Sequence, residues 1–183
     1  MRKFKAFICI ILVLSLSLSS CGRAAKRITD KEAMPIQDAI DAILHENSQK
    51  YKTVFPPDYN EIISDPEWSL EGMNIDDYLK AFVKNSMDTH VDNHGKNINI
   101  EFVVKKISDL NEELMTTFID DYIDYNVIGY TIPVDKISKF VLVEGSLNVW
   151  GKDSSSEKYA SYILFCQDNT WYLHPVYYFV NFS

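Results

Sequence analysis

The chain has 183 residues, with 18 Lys and Arg, 26 Asp and Glu, three Cys, six Gly and six Pro. This excludes collagen-like, low-complexity and disulfide-scaffold architectures and describes one folded domain with something attached. Residues 21–183 carry 15 basic and 26 acidic side chains, a formal charge of −11, which repels phosphate backbones and argues against nucleic-acid binding.

Arg2, Lys3 and Lys5 precede an apolar run over residues 6–18, followed by two serines and Cys21. A membrane span needs about 20 apolar residues, so this run is too short to cross and stay. Basic head, apolar middle and small residues make the pattern of an export signal. Leu18-Ser19-Ser20-Cys21 resembles the lipobox of bacterial lipoproteins. In that family the cysteine thiol is diacylated and the chain is cleaved before it. The resemblance implies a signal peptide over residues 1–20 and lipid attachment at Cys21. It also implies a protein at the extracytoplasmic side of the cell membrane. Each buried CH₂ contributes about 0.8 kcal/mol, so one acyl chain is marginal and two anchor stably. The alternatives for the same stretch are an uncleaved apolar N-terminus or an ordinary secretory signal.

Cys9 leaves with the signal, so Cys166 is the one thiol left beside the anchor and no disulfide closes within the mature domain. It alternates with Ala160, Tyr162 and Leu164 and reads as a small buried hydrophobe. Residues 21–33 mix Arg23, Lys26, Arg27 and Lys31 with Asp30 and Glu32 and read as a mobile lipid-anchored linker. Near an anionic bilayer each basic residue there would add about 1 kcal/mol of attraction.

The folded domain is expected over residues 34–183. Pro35 suits the first turn of a helix, and Ile36, Ala39, Ile40, Ile43 and Leu44 recur at helical spacing, predicting a helix over 35–48. Pro56 and Pro57 stop it. Residues 58–73 read as a short helical turn and a loop, with Trp68 as a lid on the core. Asn74 is a good N-cap, Asp76 and Asp77 complement the dipole, and Gly95 is a natural stop, so a second helix runs over about 75–93.

Beyond Gly95 the period becomes two. Ile98, Ile100, Phe102 and Val104 alternate with polar residues, as in a strand with one wet face. Asp109 and Glu112 form a capping box ahead of a third helix over about 110–125. Three β segments close the chain, over 138–150, 157–167 and 170–182, joined by hairpins at GKDSSS and Asp168-Asn169. Pro175 should sit at an edge or bulge. The fold class is therefore α+β, with helices packed on one face of a curved antiparallel sheet.

INIEFVVKKI, SDLNEEL, the pair FVLVEGSLNVWG and EKYASYILFCQ, and the ending DNTWYLHP carry a further resemblance. Together with the lipobox they are similar to small lipoproteins of low-GC Gram-positive bacteria whose exported part is an NTF2-like or cystatin-like cone. The resemblance implies a sheet and helices that can enclose a pocket, used for binding, dimerisation or, less often, catalysis. It does not transfer a function.

Candidate chemistry is sparse. His90, Asp92 and His94 are the one metal-like group, but Asp92 at i+2 points elsewhere on a helix, so no metal is assigned. An isomerase-like site would need a carboxylate in an apolar pocket facing tyrosines. Glu144 sits mid-strand, and Tyr130, Tyr159, Tyr162, Tyr172, Tyr177 and Tyr178 are plentiful, yet Glu144 beside Gly145 equally marks a bulge or an outward face. Asp120, Asp121 and Asp124 lack a calcium-loop pattern. No phosphate-binding glycine loop, nucleophile elbow or Cys-x-x-Cys motif is present, so no cofactor and no catalytic residue is assigned. The expected role is a lipid-anchored binding module for an unknown protein or small molecule. Its candidate pocket is lined by Trp150, Tyr162 and Trp171. A small pocket enzyme and a homodimer closing over its own sheet are the alternatives.

Overall fold

A computed structural model describes residues 27–63, 74–111 and 136–174. The expected signal peptide, Cys21, Trp68, Pro175 and almost all of the expected third helix lie outside them. A 3₁₀ turn, Lys31–Ala33, leads into α1 (Met34–Leu44), α2 (Ser48–Lys52), α3 (Pro57–Ile63) and α4 (Ile75–His94). Strands β1 (Asn99–Asp109), β2 (Ile137–Trp150), β3 (Ser155–Gln167) and β4 (Thr170–Leu173) form one antiparallel sheet in chain order. The architecture is α+β, an open curved sheet with helices against one face.

The first predicted helix breaks in two. Glu46 takes a left-handed φ of 48°, and Asn47 restarts the chain by accepting a hydrogen bond from Lys50 N at 3.0 Å. A side-chain cap outcompetes continuation there. For α4, Asn74 Oδ1 accepts from Asp77 N at 2.9 Å, and Gly95 ends the helix at φ 80°.

The chain joins the core earlier than the expected linker boundary. Ile28 is only 6% exposed and donates its backbone N–H to Gln37 Oε1 at 3.2 Å, and Ala33 is fully buried. Both are apolar residues inside a stretch whose charges dominate its appearance.

Each strand gives its two faces different neighbours. On the helix side, Ile100, Phe102, Val141, Val143, Leu147, Val149, Ala160, Tyr162, Leu164 and Leu173 join the main core with α1, α2 and α4. In the helical layer Tyr51 meets Phe55 and Phe82 at ring separations of 5.8 and 5.1 Å. On the other face Phe140, Ile163 and Phe165 form a second, smaller cluster with Leu110, Leu142 and Tyr172 beside it. Cys166 is buried as a free thiol opposite Trp171, in keeping with its reading as a small hydrophobe.

β1 continues to Asp109 with one residue inserted along the way. Val104 pairs with Gly145 and Lys106 with Glu144, leaving Lys105 as a bulge. Asp109, expected as a helix cap, is instead the last strand residue, paired with Val141 and bonded to Lys139 Nζ at 2.9 Å. Leu110 and Asn111 follow it without helical structure. The Asp168-Asn169 turn has φ of 50° and 65°, the left-handed pair of a two-residue hairpin.

Candidate functional site

The three aromatics expected to line one pocket are not brought together. Tyr162 is buried in the main core, its ring edge-on to Phe102 at 5.2 Å. Trp171 packs partly buried against that core, two residues before Leu173 on β4 and paired with Cys166. Trp150 lies on the opposite face, since it pairs with Ser155 while Val143 pairs with Tyr162. Val143 and Trp150 are seven steps apart along β2, roughly 23 Å at about 3.3 Å per step. The alternation of buried and exposed residues was readable in sequence, but the parity that relates one strand to the next needs the register.

What the register does assemble is a group on the face away from the helices. The bulge at Lys105 places Lys106 beside Glu144, with Nζ 3.8 Å from Oε2. Tyr159 reaches back along the same face and donates its hydroxyl to Glu144 Oε1. Val103, Ser146 and Tyr159 occupy one row across β1, β2 and β3. Val103 is 37% exposed and Tyr159 63% exposed, whereas Ser146 between them is buried. The hydrogen bond to Glu144 holds the Tyr159 hydroxyl above its ordinary pKa, because ionisation would set a phenolate against a carboxylate.

Glu144 therefore has the tyrosine partner that an isomerase-like reading asked for, but in the wrong surroundings. A general base of that kind works in an apolar, water-poor pocket. Here the phenol stands on an open sheet face. The site offers an oriented aromatic ring, a paired acid and a neighbouring ammonium, which suits recognition.

His94 has a structural task. Ser154 directs its hydroxyl proton to Asn93 O at 2.9 Å, so its oxygen accepts from His94 Nδ1–H at 2.9 Å. Nε2 meets the Ser156 hydroxyl at 3.2 Å. Both nitrogens are engaged in clasping the β2–β3 hairpin. Asp153 N–H to His94 O, at 2.9 Å, completes the junction. His90, one turn earlier, is held below its usual pKa by burial and then by His94 and Lys158. Among the described residues no three His, Cys, Asp or Glu side chains converge as a metal site.

Among the described residues no helix is long and apolar enough to cross a membrane. Compared with known proteins, the chain matches no family model, no curated protein and no solved structure.

Proposed function

We propose that this chain is an extracytoplasmic lipoprotein, held at the cell membrane through acylated Cys21, whose domain is a non-catalytic binding module. The address rests on the resemblance of Leu18-Ser19-Ser20-Cys21 to a lipobox and on the basic head and short apolar run before it. The observation that carries the binding role is Tyr159, an exposed ring whose hydroxyl is fixed by Glu144 on an open sheet face. A pre-oriented tyrosine loses little rotamer freedom on contact and offers both apolar area and a polar tip. With Glu101, Glu144 and Glu157 on this face against Lys106, the surface suits a partner that presents basic groups around an apolar centre.

Two measurements test the two halves separately. Cys21→Ala should abolish incorporation of labelled fatty acid and move the protein out of the membrane fraction; unchanged labelling and fractionation would refute the anchor. Hydroxyl-radical footprinting should show Tyr159 protected in intact cells and reactive in the purified protein. Equal reactivity in both would remove the sheet face as the binding surface. Protection that grows with concentration of the pure protein would identify the occupant as a second copy.

A further inference from the structure

A cleft of about 250 Å³ opens where three distant parts of the chain meet: Pro57 and Asp58 at the start of α3, Lys136 before β2, and Gln167, Asp168 and Tyr172 around the β3–β4 turn. The backbones of Lys136 and Asp168 are joined by Asp168 N–H to Lys136 O at 3.3 Å, so the two side chains leave adjacent points of the rim. Neither side chain makes an ion pair among the described residues, and both stand on the rim of one cleft.

The second carboxylate, Asp58, is turned to the wall. Gln167 is 5% exposed, and its Nε2 lies 3.4 Å from both Asp58 oxygens, while its Oε1 has no hydrogen-bond partner among the described residues. A buried acceptor without a donor is unfavourable, so Gln167 is held here by its Nε2 contacts to Asp58. Tyr172, part-buried through its ring contact with Phe165 at 6.0 Å, supplies an aromatic side. The left-handed turn residues Asp168 and Asn169 fix the rim.

We infer that this cleft is a second binding site, independent of the sheet face, for a free amino acid. An α-carboxylate would pair with Lys136 and an α-ammonium with Asp168, the ligand bridging two opposite charges that the fold holds near each other without pairing. Both contacts are charge-assisted, the stronger class of hydrogen bond. The ligand side chain lies toward Tyr172. The volume is below the roughly 300–1,000 Å³ of sites for drug-sized molecules, as a ligand of amino-acid size requires.

The test is an NMR titration of the whole isotopically labelled chain with a panel of free L-amino acids. At least one should shift the backbone amides of Lys136, Gln167, Asp168 and Tyr172 saturably and leave that of Tyr159 in place. The same compound as its C-terminal amide, or as its N-acetyl derivative, should bind about tenfold more weakly or worse, since each lacks one charge. Lys136→Ala and Asp168→Asn should each weaken binding to a similar degree. Both positions are exposed, and Asn tolerates the left-handed turn, so the fold persists. The inference is overturned if no amino acid shifts these amides. It is equally overturned if the singly charged derivatives bind as well as the parent, or if Lys136→Ala leaves the affinity unchanged.

Discussion

Gly145 on β2 leaves room for the carbonyl oxygen of Val103 on β1: a Cβ at position 145 would stand 2.3 Å from that oxygen and 2.6 Å from the Phe102 ring. The close approach falls at the Val104–Gly145 pair, the last one before the Lys105 bulge. The glycine, the bulge and the placement of Lys106 beside Glu144 are one device.

Gly145→Ala tests it. Neither obstacle is the loose end of a flexible side chain, so the strands must separate or the Phe102 ring must leave its place against Tyr162. Overpacking of this kind costs about 1–3 kcal/mol. Thermal unfolding should shift down by several degrees, at roughly 2–4 °C per kcal/mol for a domain of this size. The amide shifts of Lys105 and Lys106 should move with it. A variant as stable as the parent, with those shifts unchanged, would show that the bulge does not depend on the glycine.

Gly151 has the same relation to α4. A Cβ there would lie 2.3 Å from His94 O, the acceptor that Asp153 N–H needs. Gly151→Ala should therefore undock the hairpin locally, with faster amide exchange at Asp153 and Lys152 and little change at Val143 in mid-strand. At Gly95 the nearest obstacle is the Asp153 carboxylate, which can swing away, but φ of 80° penalises any side chain. Both variants should lose stability, Gly95→Ala through its own backbone and Gly151→Ala through its neighbour's. Uniform loss of protection throughout the domain would refute the local account of Gly151.

Much of the fold was written in local signals. Asn74 and Gly95 bracket α4, alternating Ile100 and Phe102 mark β1, and Asp168-Asn169 makes a two-residue turn, because each depends on a few adjacent residues. The bulge at Lys105 was foreshadowed only by Gly145, on a different strand from the insertion itself. The grouping of Trp150 with Tyr162 failed for a related reason. Period two says that neighbours along a strand alternate, but which residues share a face across strands follows from register. The Glu144–Tyr159 pair lay within that uncertainty, two residues 15 apart joined by a hairpin. The amino-acid cleft was invisible, since Asp58 and Gln167 are 109 residues apart and each looks ordinary in its own segment.

Glu144→Gln should reveal the electrostatic part of the sheet-face pair. Removing the carboxylate charge removes the obstacle to forming the phenolate, so the ionisation midpoint of Tyr159 should fall toward the ordinary tyrosine value. Selective labelling of the Tyr159 ring and an NMR pH titration would read this directly. The pair is exposed to water, so unfolding stability should change little, as for most surface interactions. A midpoint that stays where it is in the variant would mean that Glu144 does not govern Tyr159.

Two buried histidines set the acid response. His174 is fully buried, its ring edge-on to Phe165 at 6.3 Å, and burial lowers its pKa to about 3. His90 is lowered as well, by burial first and then by His94 and Lys158. In the unfolded chain both titrate near 6.5. Above that pH neither state binds the proton and stability is independent of these groups. As pH falls below about 6.5 the unfolded chain takes up protons that the folded state refuses, so stability is lost progressively, down to about pH 3 for His174. Urea unfolding midpoints measured across this window should decline with acid in the parent. His174→Phe should flatten the decline throughout the window from about pH 6.5 to about pH 3, and His90→Gln should reduce the slope that sets in below about pH 6.5. If His174→Phe kept the full slope between about pH 5 and about pH 3.5, well inside the window, the carboxylates and not this buried imidazole would govern acid unfolding.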